Sequence, residues 1–239
     1  NIPPMELDRI LQKQGFGSRK TCRGLVRDGR VTVNGEPCDD PFIDVDTAGL
    51  NFTVDDEDWE YHDPSTLVLN KPPGMECSRN PIHHPSVYSL LPYPLLERGV
   101  QSIGRLDEDT TGLLLFTDDG QLNHKLISPK HKVPKTYRVT LKHAADAGIV
   151  KTLLAGVLLH DEPERIAAAD CALEDPTTLR LVITEGKYHQ VKRMIAAAGN
   201  RVEALHRVAV GAFSLPADLE PGEWRWLDEA ELAEVKASA

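Results

Sequence analysis

Gly104-Arg105-Leu106-Asp107-Glu108-Asp109-Thr110-Thr111-Gly112 runs straight into Leu113-Leu114-Leu115-Phe116-Thr117 and then Asp118-Asp119-Gly120. The continuous apolar run has the length of a strand and ends in turn residues, so it reads as a buried strand. Ahead of it lies a polar loop bounded by two glycines. A side chain at the mouth of a buried strand is held still by the scaffold, which suits a functional group. Asp107 is therefore a candidate. Spacing alone does not single it out, because five carboxylates fall between 107 and 119 and any one can serve as a turn residue or helix cap.

At 239 residues the chain suits one large domain, or a small one followed by a larger one. Composition is that of a globular protein, 41% hydrophobic and 27% charged, with no apolar run long enough to span a membrane. No secretory leader is visible at Asn1-Ile2-Pro3-Pro4. Cys22, Cys38, Cys77 and Cys171 are widely spaced, which predicts reduced thiols, a cytoplasmic location and no zinc site. His83-His84 lacks a third ligand at a convincing spacing and reads as part of a loop.

The net charge of −10 is unevenly spread. From Arg9 to Arg30 there are seven Lys/Arg against one acid; from Val31 to Glu60, ten acids and no Lys or Arg; from Leu122 to His143, six Lys/Arg and no acid. Two basic surfaces on an acidic body are what a phosphate backbone would require.

Between these features the periodicities define elements. Thr66–Asn70 reads as a strand broken by Lys71-Pro72-Pro73-Gly74, and Val87–Leu96 as a short helix interrupted by Pro92 and Pro94. Gln121–Ile127 suits a helix, and Lys135–Leu141 a strand with Tyr137, Val139 and Leu141 on one face. A helix over Ala144–Leu154, a strand over Leu179–Thr184, a helix over Gln190–Ala198, a strand over Arg201–Val210 and an acidic helix over Asp228–Lys236 complete the chain.

Gly-Arg-Leu-Asp107 followed by Asp-Thr-Thr-Gly-Leu-Leu-Leu-Phe-Thr-Asp-Asp-Gly resembles the catalytic motif of the RsuA-type pseudouridine synthases, which isomerise uridines in ribosomal RNA. The resemblance extends to Leu-Asn-Lys71-Pro-Pro-Gly, to Lys-Thr-Tyr137 and to Gly-Lys-Tyr-His-Gln-Val-Lys192-Arg. It implies an α+β protein whose catalytic domain has a largely antiparallel, mixed β-sheet with flanking helices. It also implies Asp107 as the catalytic carboxylate, Tyr137 as the active-site tyrosine, and Lys192 as the cation against Asp107. Many members of the wider superfamily carry arginine there, with a bidentate fork that lysine lacks. Lys71, Gly104 and Leu106 become supports of the active-site loop, and Arg105 an RNA contact. Neither a cofactor nor a metal is implied, since the reaction breaks and remakes one glycosidic bond without oxidation or hydrolysis. What it needs is an ionised carboxylate near ribose C1′, as nucleophile or as base.

Upstream, Leu7, Ile10, Leu11 and Gln14 follow helical spacing up to Gly15-Phe16-Gly17. Ser18 suits the N-cap of a second helix with Cys22, Leu25 and Val26 on one side, and Val31-Thr-Val-Asn-Gly35 suits a hairpin. Two short helices followed by this hairpin resemble an S4 domain, a small RNA-binding module, over Met5–Val54. Arg19, Lys20, Arg23, Arg27 and Arg30, off the apolar stripe, are then its RNA-binding residues. The acidic stretch from Asp55 to Pro64 reads as a linker. The resulting division is an S4-like domain over 1–58, a linker at 59–65 and a pseudouridine synthase catalytic domain over 66–239.

Among family branches the wording around Asp107 and Lys135-Thr-Tyr137 is closest to members acting on small-subunit (16S) rRNA, free or in an assembling particle. The large subunit (23S) is the nearest alternative. Rival readings are a catalytically silent RNA-binding assembly factor, and a glycoside hydrolase using Asp107 and Asp109 as its carboxylate pair.

Overall fold

The computed structural model describes residues 2–237, so the outermost ends of the expected domains, Asn1 and Ser238-Ala239, lie outside the described residues. The chain forms two compact units. One runs to Ser65 and includes Leu91–Gln101; the other comprises Thr66–Leu90 and the chain from Ser102 onward.

In the first unit, a two-residue strand β1 (Met5–Glu6) leads into α1 (Leu7–Lys13), which buries Leu7, Ile10 and Leu11 on one face as their spacing predicts. Helix α2 (Arg19–Arg27) starts where Ser18 Oγ accepts the Thr21 N–H at 3.1 Å. Strands β2 (Val31–Val33) and β3 (Glu36–Pro37) form the expected hairpin, with Asn34 and Gly35 both at positive φ in its turn. β4 (Asp44–Val45) pairs with β1, and β5 (Asn51–Val54) with β2.

The linker reading of Asp55–Pro64 needs correction. Asp55 and Asp56, at φ +52° and +65°, make a second tight turn, and the chain returns as β6 (Glu57–Glu60), paired with β5. Trp59 of β6 is buried edge-on against Phe16, ring centroids 5.2 Å apart. A strand whose sole apolar residue is one tryptophan shows no alternation, which is why this one is invisible in the sequence. Helix α3 (Tyr93–Glu97) also belongs to this unit, and Gly15 is the residue that lets it approach: a Cβ there would come within 1.9 Å of the Pro94 carbonyl oxygen.

Asp8 is fully buried on α1 and accepts from Arg23 Nε at 2.9 Å and Arg19 Nε at 3.3 Å. Burial alone would raise its pKa, but the two guanidinium groups outweigh burial and hold the carboxyl below its ordinary value. A depressed carboxyl pKa contributes stability that is present above the unfolded value and lost as pH falls through the folded one. Asp8→Asn should therefore lower stability by about 2 kcal/mol at neutral pH. It should also flatten the acid-side loss between about pH 5 and pH 2. Denaturant melts followed at Trp59 across that range check both effects; parallel curves for the two proteins would count against them.

The second unit is built on a mixed sheet in the order β11-β12-β10-β13-β9-β7-β15. Its strands are β7 (Thr66–Lys71), β9 (Thr111–Thr117), β10 (Lys135–Leu141), β11 (Asp170–Asp175), β12 (Thr178–Ile183), β13 (Val202–Val210) and β15 (Trp224–Trp226). The short β8 (Gln101–Ser102) lies where the chain passes between units, and β14 (Phe213–Ser214) pairs with β13. Along this order every pairing is antiparallel except β13 with β9. Leu113–Phe116 of β9 are at most 1% exposed, as the continuous apolar run predicts.

Helices α5 (Ala147–Ala155) and α6 (Gln190–Ala197) contribute Leu153, Met194 and Ile195 to a core with β10 and β12. α4 (Gly120–Ile127) and α7 (Glu229–Val235) contribute Leu122, Leu126 and Val235 to a second core with β7 and β9. β15 is only three residues long and β11 shows no alternation, so neither is read from sequence; pairing with β7 and β12 makes them strands. The parallel join matters most for the site. Gly112 faces Arg207 there at φ +104°, and a Cβ on it would meet the Arg207 carbonyl oxygen at 2.3 Å. That close approach sets the Asp107 loop beside β10 and β13. No helix of the described residues is long and apolar enough to cross a membrane.

Candidate active site

The loop carrying Asp107 is pinned from beneath. Lys71 ends β7 opposite Gly112, and its side chain is fully buried. Its Nζ donates to the carbonyl oxygens of Thr110 (2.8 Å), Glu108 (2.9 Å) and Pro72 (3.1 Å). An ammonium has three N–H groups, so all are used. Burial lowers the Lys71 pKa, while Cys77 and the carboxylates of Glu108, Asp109 and Asp107 oppose that fall. The Gly74 N–H bonds the Glu108 carbonyl at 2.8 Å, the Leu106 N–H contacts Cys77 Sγ at 3.4 Å, and the Thr110 N–H closes a turn onto the Asp107 carbonyl at 3.0 Å. Gly104 supplies a positive φ of 71° at the loop entry, and Leu106 is buried. The three expected supports thus all touch or shape the loop.

The Asp107 carboxylate lies between two side-chain nitrogens on the α6 side. Lys192 Nζ is 3.1 Å from Oδ2, and His189 Nε2 is 3.1 Å from Oδ1. Lys192 also reaches Asp109 Oδ1 at 2.9 Å. Burial disfavours the charge on Lys192, but Asp109 and Asp107 outweigh it and raise the pKa. Burial likewise works to raise the Asp109 pKa, and Lys192 reverses it, so that carboxyl sits below its ordinary value. A glycoside hydrolase needs one carboxyl kept protonated. Asp109, held ionised beside Lys192, does not supply it.

Tyr137, 8% exposed on β10, lines the same cavity of about 200 Å³ as Asp107, Arg105 and Lys192. Arg105 is exposed at its edge. Three lining residues were missed by the sequence reading. His189 stands in the quoted Gly-Lys-Tyr-His motif, three residues before Lys192, so a signal was present. Arg207 is buried and donates from Nε to the Leu113 carbonyl at 2.9 Å, and nothing in the apolar pattern of its strand marked it. Lys135 opens the Lys-Thr-Tyr motif; burial and then the neighbouring Arg207 push its pKa down. The cavity therefore presents two carboxylates, Asp107 and Glu185, among several cations and one phenol.

The basic residues of the first unit are less free than their spacing suggests. Arg19 and Arg23 are engaged by Asp8, and Arg30 forms a two-pronged pair with Asp55 at 2.6 and 2.7 Å. Lys20 and Arg27 are exposed, the latter 5.6 Å over the Phe42 ring. His83 and His84 lie in a loop whose N–H groups the Glu76 carboxylate gathers, and no three-residue cluster suited to a metal occurs among the described residues.

The Lys192 contacts carry a prediction. Lys192→Met should leave the Asp107 and Asp109 carboxyl groups without their shared cation and cut turnover about 10²–10³-fold. Lys192→Arg should recover most of the loss. Turnover in Lys192→Met within tenfold of wild type would show that the reaction does not need this cation.

Residues 65–197 match the family model described as RNA pseudouridylate synthase, and residues 5–46 match that of the S4 domain. The chain belongs to the RNA pseudouridine synthase family, with an S4 domain ahead of the catalytic one, and the expected α+β fold is present. The ribosomal small subunit pseudouridine synthase A of Escherichia coli (strain K12) is 41% identical over 237 residues, covering 97% of this chain and 100% of that one. A Bacillus subtilis (strain 168) protein named as an uncharacterized RNA pseudouridine synthase is 40% identical over 231 residues, 95% of this chain and 97% of that one. A crystal structure of a pseudouridylate synthase superposes with a TM-score of 0.69 at 36% identity, covering 97% of this chain and 99% of that one.

Proposed function

We propose that this enzyme converts one uridine of small-subunit (16S) rRNA to pseudouridine in the cytoplasm, acting on free rRNA or an assembling small subunit. Full-length similarity to a relative named for the ribosomal small subunit supports that choice of substrate. In this reading the first unit, which runs to Ser65 and carries the S4-like domain, grips structured RNA through phosphate contacts and shape, and the second unit carries out the chemistry. The observation that carries the catalytic assignment is Asp107 held between Lys192 and His189 at the mouth of a cavity that Tyr137 also lines.

The reaction breaks the bond from C1′ to N1, turns the uracil and joins C1′ to C5; N1 takes up a proton and C5 gives one up, so the atoms balance without a co-reactant. Asp107, beside Lys192, serves ribose C1′, as nucleophile or by removing a ribose proton. The target base leaves its stack to reach the cavity. Tyr137 packs against it and assists removal of the C5 proton, and Arg105 fills the vacated place or holds its phosphate.

The test is incubation with unmodified 16S and 23S rRNA, free and in partly assembled subunits, followed by chemical labelling of pseudouridine and primer extension. One new stop in 16S rRNA is expected. A stop only in 23S rRNA would reassign the subunit, and salt-sensitive binding without any stop would favour a silent assembly factor.

A further inference from the structure

The segment between β12 and α6 presents an aromatic pair whose exposed member, Tyr188, the chemistry above does not use. The Tyr188 and His189 rings are stacked, with centroids 3.9 Å apart and 17° between planes. Through Nε2, His189 is tied to the Asp107 carboxylate. Tyr188 is 76% exposed. An exposed tyrosine ordinarily samples several positions, but this one is braced. Its carbonyl accepts from Arg193 Nη1 at 2.9 Å, and Arg193 in turn pairs with Asp161. On the other side Lys187 pairs with Glu162 at 3.0 Å. The two neighbours of Tyr188, Lys187 and His189, both line the Asp107 cavity. A fixed, exposed aromatic ring therefore stands beside the cavity rim, backed by a second ring that touches the carboxylate.

We propose that Tyr188 is a stacking platform for an unpaired nucleobase of the substrate RNA, that of a nucleotide flanking the target uridine. The proposal rests on the reading of the cavity as the site that receives a flipped uridine. When the target leaves its stack, the neighbouring base loses one stacking face. Single-stranded RNA is commonly held by bases lying on aromatic rings, tolerant of sequence because every base has a π face. Backing by His189 is what makes the tyrosine rigid enough for this use. Because His189 also contacts Asp107, stacking on Tyr188 sets the distance between the bound strand and the carboxylate.

The experiment compares wild type with Tyr188→Ala, Tyr188→Leu and Tyr188→Phe. Each is titrated with a short fluorescein-labelled oligouridylate at several salt concentrations, and KM is measured on the 16S rRNA substrate. One stacked base corresponds to about 5- to 150-fold in affinity. Tyr188→Ala and Tyr188→Leu should raise Kd and KM by that order, and Tyr188→Phe, which keeps the ring, should bind as wild type does. The slope of log K against log salt should be the same for all four proteins, because no phosphate contact is lost. Leucine binding as tightly as tyrosine, or a shallower salt slope in Tyr188→Ala, would overturn the platform, as would no binding of oligouridylate by wild type. Tyr188-dependent binding without modification of any rRNA would leave the platform standing and remove the activity assignment. Modification by wild type, with Kd and KM unchanged in Tyr188→Ala, would do the reverse.

Discussion

Asp107→Asn should reduce pseudouridine formation by roughly four orders of magnitude or more, while leaving the fold and RNA affinity close to those of wild type. The amide has nearly the shape of the carboxylate, and its single oxygen can still accept from Lys192, whose Nζ now stands 3.1 Å from Oδ2. What it lacks is the negative charge and the basic oxygen that either role at C1′ requires. Removal of a reacting group in a site built around it commonly costs most of the acceleration, so single-turnover assays with excess enzyme give the clearest reading. Thermal unfolding should shift by no more than a few degrees, since the side chain is about a third exposed and not part of either core. Turnover within tenfold of wild type would remove Asp107 from the reaction, however well the cavity is formed.

The second large effect is expected at Lys71, which does not line the cavity. Lys71→Met keeps the length and apolar stem but leaves the carbonyls of Pro72 and Thr110 without the ammonium that they accept from, and that of Glu108 with the Gly74 N–H alone. Unsatisfied buried acceptors cost about 1–3 kcal/mol each, and relaxation of the loop recovers part of that, so a net loss of about 3–5 kcal/mol is expected. For a chain of this size that corresponds to a fall in Tm of about 10 °C. Two of the three carbonyls flank Asp107 and Asp109, so the loop should loosen and turnover fall at least tenfold even well below the new Tm. Lys71→Arg should not rescue either property, because the fully buried site has no room for a guanidinium. Calorimetry and kcat at a temperature where both proteins are folded separate the two effects. A Tm unchanged within about 2 °C would mean that the carbonyls find other donors.

The two positions differ in how visible they are in the sequence. Asp107 stands in a motif that names its chemistry, and the apolar run behind it predicts the strand that holds it. Lys71 is visible only as a lysine at the entry to a Pro-Pro-Gly turn. That it is buried, and that its ammonium reaches carbonyls 37 and 39 residues away, follows from the pairing of β7 with β9. Arg19 and Arg23 show the opposite case. Their position off an apolar stripe reads as a free basic face, yet Asp8, outside the segment counted as basic, is buried and draws both toward it. A carboxylate eleven and fifteen residues away in sequence is adjacent once α1 packs on α2.

By itself the sequence determined the family, the succession of an RNA-binding module and a catalytic domain, the buried strands β7, β9 and β10, and the identity of Asp107, Tyr137 and Lys192 as the residues to watch. These follow from local pattern: apolar run length, alternation, caps, turn residues and motifs contiguous in the chain. Only the tertiary structure decided that β6, β11 and β15 are strands, that His189 and Asp109 share the electrostatics of Asp107 and Lys192, and that Arg207 and Lys135 line the cavity with them. The physical reason is common to all of these. An edge strand gains its stability from the partner's hydrogen bonds, not from its own side chains. The protonation state and aim of a charged group are set by neighbours within a few ångströms, which the chain brings together from positions as far apart as 71, 107, 137, 192 and 207.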